Sequence, residues 1–228
     1  MDITVWAQKY DYLSNEMMLN RKDKNEGYYV KKVLNNYYDK IPPLSTIEIE
    51  TINRCNNTCS FCPVSVGNDK RVYCKMSEEL FYKIIDDLVE INYRGAVCLF
   101  SNNEPLLDER FFDFLSYVYK KLPDNKRVLF TNGSKITLEN FNQLTSMLTH
   151  LTINNYDDDL QVQPHLNWLT EQEIDESDCK ISLIIRKKTQ VLYSRGGNAP
   201  NKQNDFTFTS ACIIPFIQMV IRPDGKVS

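Results

Sequence analysis

Asn53-Arg54-Cys55-Asn56-Asn57-Thr58-Cys59-Ser60-Phe61-Cys62-Pro63 is the stretch on which the reading of this chain turns. It follows Thr46–Ile52, whose pattern predicts a strand. Three cysteines spaced C-x3-C-x2-C therefore fall in the loop at that strand's carboxyl end. Ligands of α/β sheets sit at such loops. Three thiolates within eight residues can converge on one metal centre. Buried free cysteines fit poorly, because the segment is polar rather than a core strand. A structural zinc site wants four closed ligands, and Cys74 is the only fourth in reach, with no second CxxC or Cys–His pair nearby. Iron–sulfur cubanes usually take four thiolates, so three leave one iron open to a small chelating ligand. A ferredoxin-type carrier would want a fourth cysteine and a much smaller fold.

Outward from this loop, β and α patterns alternate. Ser77 caps a helix over 78–91, with Glu78 and Glu79 in its first turn, where carboxylates suit the helix dipole. Leu80, Ile84, Ile85 and Leu88 give that helix an apolar face. Then come a strand at Ala96–Ser101, a helix at Glu109–Lys121, a strand at Arg127–Thr131, a helix at Leu138–Leu148 and a strand at Leu151–Asn154. Lys180–Arg186 and Ile217–Ile221 read as further strands, separated by a loop or linker over Tyr193–Asp205. Repeated alternation predicts a parallel sheet with right-handed crossovers, open or curved into a partial barrel. No GxGxxG follows the first strand and no GxxxxGK[ST] occurs, so dinucleotide and P-loop sites lack their phosphate cradles.

The chain's 228 residues, 42% hydrophobic and 25% charged, suit one globular domain with an appendage. A net charge of −3 gives no electrostatic case for nucleic acid or a membrane surface. The two histidines, His150 and His165, fall in no zinc pattern. Seven cysteines, an odd number, argue against a fully paired disulfide framework. Met1–Trp6 lacks the basic-then-apolar pattern of a signal peptide, and no apolar run reaches the ~20 residues of a membrane span. A cytoplasmic protein is expected, without nucleic-acid or membrane partners. Cys74, Cys98 and Cys179 read as structural.

The cysteine loop, with Phe61 before its third cysteine, resembles that of the radical S-adenosylmethionine (radical SAM) enzymes. The resemblance implies an α/β fold: a partial (β/α)6 TIM-like barrel of mostly parallel strands, here with a helical N-terminal leader. It implies that Cys55, Cys59 and Cys62 hold a [4Fe–4S] cluster whose fourth iron is chelated by S-adenosylmethionine. Reductive cleavage would then give a 5′-deoxyadenosyl radical that abstracts hydrogen from substrate. Ser101-Asn102-Asn103-Glu104-Pro105 stands where the family carries Gly-Gly-Glu-Pro, so Glu104 and Asn103 are expected at the cofactor. Both glycines are asparagine here, the next most tolerant residue if the backbone needs positive φ. Thr131-Asn132-Gly133 resembles the family's Thr-Asn-Gly, which places Asn132 at the same site; the alternative is a simple turn. Asn155, of the Asn154-Asn155 pair, is expected near the ribose hydroxyls, again with a turn as the alternative. Arg186 suits the cofactor's carboxylate, or is a surface strand arginine. No catalytic acid, base or hydrogen donor is assigned.

Cys212 to Gly225 resembles the opening of a SPASM extension, with twelve residues between the two. The next family cysteine would fall past Ser228, so the sequence reads as stopping inside a motif, and an auxiliary iron–sulfur cluster belongs only to a longer chain. The expected organisation is a helical leader over 1–45, with helices around Tyr10–Asn20 and Tyr28–Tyr38, a radical SAM core over 46–205, and a last strand with the truncated extension over 206–228. The extension favours a peptide or protein substrate. The alternatives are a sugar or nucleotide-sugar substrate, or a non-catalytic zinc or iron–sulfur scaffold. The electron donor implied is of the flavodoxin or ferredoxin kind.

Overall fold

Among the described residues seven strands, all parallel, build one sheet. The structure, a computed structural model, describes residues 4–7, 44–171, 179–189 and 217–228. The strands are β1 (Thr4–Ala7), β2 (Thr46–Ile49), β3 (Ala96–Cys98), β4 (Arg127–Thr131), β5 (His150–Tyr156), β6 (Lys180–Arg186) and β7 (Gln218–Ile221), in the spatial order β1-β6-β5-β4-β3-β2-β7. Three helices cross between them: α1 (Glu78–Glu90), α2 (Phe111–Lys121) and α3 (Leu138–Met147), with a single-turn α4 (Trp168–Glu171) before β6. This is the α/β architecture read from the alternation, with six of its strands in the expected places. No described helix is long and apolar enough to cross a membrane.

β1 departs from expectation. The leader reads as helical, yet Thr4–Ala7 is a strand paired parallel to β6, from Thr4↔Ser182 to Ala7↔Ile185. Thr, Val and Trp suit a pleated surface. The helices expected around Tyr10–Asn20 and Tyr28–Tyr38 lie outside the described residues. At the other edge β7 pairs with β2, from Thr46↔Gln218 to Ile49↔Ile221. After β7 the chain turns at Gly225, whose φ of 80° favours glycine, and Arg222 N–H donates to Lys226 O at 2.8 Å.

Each helix starts and packs for local reasons. The Ser77 hydroxyl accepts from Leu80 N–H, and Thr137 and Asn140 form a reciprocal capping box on α3. α1 buries Phe81, Ile84, Ile85 and Leu88; α2 buries Phe111, Phe114, Leu115 and Val118. Phe81 and Phe114 stack at 4.0 Å between ring centroids where the two helices meet. Removing either ring would leave a core cavity and cost about 3–5 kcal/mol. The helices cover Ile47, Ile49, Leu129, Leu151, Ile153 and Leu183 on one sheet face. Because strand side chains alternate, the intervening residues, among them Thr152, Asn154, Tyr156, Ser182 and Arg186, share the other face. That face is half-buried and largely polar, and it carries the site.

Candidate active site

Above the carboxyl ends of the strands, a cavity of about 370 Å³ is lined by Cys55, Cys59 and Cys62 from the loop after β2. Asn103 and Glu104 from the loop after β3, and Asn132 from the loop after β4, line it too. So do Asn154 and Tyr156 of β5 and Arg186 of β6. Parallel strands deliver these groups to one place although up to 131 positions separate them (186 − 55).

The cysteine loop is held from several sides. Cys62 O accepts from Ser65 Oγ at 3.0 Å and from Asn68 Nδ2 at 3.1 Å. Ser60 N–H donates to Lys188 O at 2.9 Å, tying the loop to the segment after β6. Asn53 Nδ2 donates to Val72 O, and Asn53 Oδ1 accepts from Cys74 N–H, closing the loop's base. Phe61 is 1% exposed and lies 6.0 Å from the Tyr156 ring. The aromatic residue before the third cysteine therefore packs the loop onto β5.

Burial governs Cys55 and Cys59. It pushes Cys59 up to about 12, with the nearby Cys62 and Cys55 adding to the rise. Burial also pushes Cys55 up, against hydrogen bonds from Asn57 N–H and the Asn132 amide. Such thiols are neutral at pH 7 unless a metal's positive charge favours the thiolate.

Glu104 is 1% exposed. Its Oε1 accepts from the Thr131 hydroxyl at 2.7 Å and from Leu106 N–H at 3.1 Å, and its Oε2 accepts from Asn132 N–H at 2.7 Å. Burial raises its pKa despite these three donors. Its own N–H donates to Arg54 O at 2.8 Å, so this residue joins the cysteine loop to the loops after β3 and β4. Asn102 and Asn103 do not take positive φ. The condition under which asparagine's tolerance of left-handed backbone would matter is therefore not met, and they fit here without that strain.

Gly133 is different. Its φ is 77°, and a Cβ would stand 2.9 Å from Ile153 Cγ2. Thr131-Asn132-Gly133 is thus a tight turn under steric constraint, and it also points two groups at Glu104. Asn155 does not reach the cavity. It lies on the helix-facing side of β5 and is fully buried. Its Nδ2 donates to Gln161 O and its Oδ1 accepts from Gln163 N–H, so it holds the loop after β5. Asn154 and Tyr156, its neighbours on the strand, face the cavity instead. The alternation set by buried Leu151 and Ile153 carries that information. Sequence reading also missed Phe100 and Phe130, whose rings meet at 4.6 Å on the cavity wall.

Cys98 and Cys179 are buried, 5% and 3% exposed, as expected of small core residues. Cys212 lies outside the described residues.

The donor set suits an iron–sulfur cluster with a chelating anion beside it. Three thiols line the same cavity, although among the described residues no three Cys, His, Asp or Glu side chains are grouped to hold a single metal ion. Opposite chemistry is offered by Asn103 Nδ2 and Arg186 Nε, both buried and making no hydrogen bond. Buried donors of this kind are costly unless an acceptor meets them, and a carboxylate is such an acceptor.

A family model described as the Radical SAM superfamily matches residues 49–173. The S-adenosyl-L-methionine-dependent 2-deoxy-scyllo-inosamine dehydrogenase of Niallia circulans is 28% identical over 103 residues. That alignment takes in 45% of this chain and 41% of the relative's length. Among solved structures, BtrN in complex with AdoMet and 2-DOIA matches with a TM-score of 0.68 and 21% identity, covering 83% of this chain and 73% of that one. Streptococcus suis SuiB bound to S-adenosylmethionine matches with a TM-score of 0.51 and 10% identity, covering 95% and 70%. At these identities the structural matches speak to the fold. The family match ends before Cys212, so it bears on the core and not on a SPASM extension.

Proposed function

Because this chain belongs to the radical SAM superfamily, we propose that it binds a [4Fe–4S] cluster through Cys55, Cys59 and Cys62 and, beside it, S-adenosylmethionine, and that it oxidises an alcohol carbon on a sugar-like ring. When bound, that pair would supply one-electron cleavage of S-adenosylmethionine and, through it, hydrogen abstraction from the alcohol carbon; the substrate radical would return its second electron to the cluster and its hydroxyl proton to solvent, leaving S-adenosylmethionine as the net two-electron oxidant. The observation that carries the reading is the convergence of the three thiols with Glu104, Asn103 and Arg186 on one cavity.

The chain's own residues have separable tasks. The three thiols hold the cluster, with Phe61 fixing the loop against Tyr156. Asn103 Nδ2 and Arg186 Nε offer donors to the cofactor's carboxylate. Glu104 shapes the wall by fixing the turn at Asn132 and contributes its carboxylate to the amino group's surroundings. Phe100 and Phe130 supply an apolar face for a flat ring. A small one-electron carrier, a flavodoxin or ferredoxin, is the proposed electron source.

The substrate class follows the relative, which is a dehydrogenase of 2-deoxy-scyllo-inosamine. The polar lining groups Ser101, Asn102 and Asn154 suit hydroxyl groups. A peptide substrate rested on the segment from Cys212 onward, which neither the described residues nor the family match supports.

The test is anaerobic reconstitution with iron and sulfide, then a reductant, S-adenosylmethionine and a panel of ring alcohols and peptides. Expected are 5′-deoxyadenosine and a new carbonyl on a ring alcohol. 5′-Deoxyadenosine with product formed only from peptides would overturn the substrate class. A colourless protein with stoichiometric zinc would overturn the whole reading.

A further inference from the structure

The Asn132 side chain is oriented by two contacts that leave it no freedom to flip. Its Oδ1 accepts from Ser134 N–H at 2.9 Å, so the NH2 end must face the cysteine loop. One of its protons goes to Asn56 Oδ1 at 2.8 Å. The other faces Cys55 Sγ at 3.8 Å, which also accepts from Asn57 N–H at 3.4 Å. Asn56 Nδ2 in turn donates to Ser134 Oγ at 2.9 Å, closing a ring of contacts between the two loops. Asn132 is 9% exposed, its backbone N–H is held by Glu104, and Gly133 permits the turn that presents it.

We infer that Asn132 is a positioning residue for the cluster rather than for S-adenosylmethionine: its amide donates to the Cys55 sulfur and raises the reduction potential of the bound cluster. The inference rests on the proposed cluster site. A donor on a ligating sulfur stabilises the more negative, reduced cluster more than the oxidised one. Taking up one electron from a reductant thus becomes easier. Sequence reading placed Asn132 at the cofactor because its motif sits there; the amide's two protons are instead committed to Asn56 and Cys55.

The test is an anaerobic redox titration of reconstituted protein against dithionite, followed by electron paramagnetic resonance. Asn132→Ala is expected to make the midpoint more negative, by up to tenfold in the reduction equilibrium, which for one electron is about 59 mV. Asn132→Asp, which replaces the donor with a negative charge, is expected to move it further. Asn56→Ala breaks the clamp between loops but spares the Cys55 contact, so its midpoint should stay at the wild-type value. Equal midpoints in Asn132→Ala and wild type would overturn the inference, as would an equal shift in Asn56→Ala, which marks a merely structural role. Should Asn132→Ala lose the cluster, the wild type decides. Labelling asparagine side-chain amides with nitrogen-15 should give a hyperfine coupling to the reduced cluster, and its absence overturns the inference. A wild-type protein that binds no cluster at all would instead overturn the proposed function.

Discussion

Two cavities open side by side above the sheet, and their linings share Val64 and Asn102. The larger, about 930 Å³, is the more heavily charged. In it Glu50, fully buried, meets Arg71 at 2.8 Å and Arg222 at 3.1 Å. Arg71 also binds Asp69 at 2.9 Å and donates to Asn102 O at 2.8 Å. These charges answer one another. The smaller cavity has thiols, amides and one buried carboxylate that touches no cation, and it keeps two buried donors without partners. Size is therefore a poor guide here. The larger cavity is an internally satisfied brace joining the cysteine loop, the end of β2 and β7. The smaller one has chemistry left over for a ligand.

The sharpest way to break this comparison is to remove the thiols. Replacing Cys55, Cys59 and Cys62 together with serine should abolish iron binding and visible absorbance after reconstitution. The brace is untouched, so the thermal midpoint of the apoprotein should move by only a few degrees. Iron retained at the wild-type level would sink the assignment of the smaller cavity.

Glu104→Ala is expected to be next in size. It strands the Thr131 hydroxyl and the N–H groups of Leu106 and Asn132, all in a buried place. The cost should be about 3 kcal/mol, as expected for several unsatisfied buried donors, read as a lower denaturation midpoint. Glu104→Gln should cost about 1 kcal/mol, since one oxygen still accepts. Equal costs for the two variants would mean that the three contacts contribute nothing specific.

On the brace, Arg222→Ala should cost less than either partner's loss would suggest, about 1–2 kcal/mol, because Glu50 keeps Arg71. Removing Arg71 and Arg222 together should exceed the sum of the single losses, for Glu50 would then be a buried charge without a partner. Strict additivity in a double-mutant cycle would show that the two arginines do not share it.

What the sequence disclosed differs between these regions in a physically sensible way. The cysteine loop, Glu104 and the turn at Gly133 are contiguous motifs, and strand order brings them together. The helix over 78–91 was legible because its cap at Ser77 and its apolar spacing are local signals. β1 was not, since four residues in a polar leader gain strand character only from pairing with β6. The Glu50–Arg71–Arg222 brace was not legible either, because it joins positions from three distant segments and follows no periodicity. Asn155 was misplaced for a readable reason: with Leu151 and Ile153 facing the helices, an odd-numbered residue of the same strand must face them too.

The smallest expected effect is a pair of opposite slopes in the pH dependence of apoprotein stability. Burial raises Glu104 above its ordinary 4.5. The folded state then holds a proton that the unfolded chain releases, so stability falls as pH rises from about 4.5 through the folded value. Asp69 goes the other way. Burial raises it, but the Arg71 hydrogen bonds and charge outweigh burial and hold it below its ordinary 3.8. Its contribution is complete above that value and is lost as pH falls through the lower, folded value. Urea midpoints of wild type, Glu104→Gln and Asp69→Asn, compared over about pH 3 to 7, read both. The advantage of wild type over Glu104→Gln should shrink as pH rises, and its advantage over Asp69→Asn should shrink as pH falls. Slopes of the same sign would mean that the two carboxylates share one electrostatic environment, and the division between a satisfied brace and an unsatisfied site would fail.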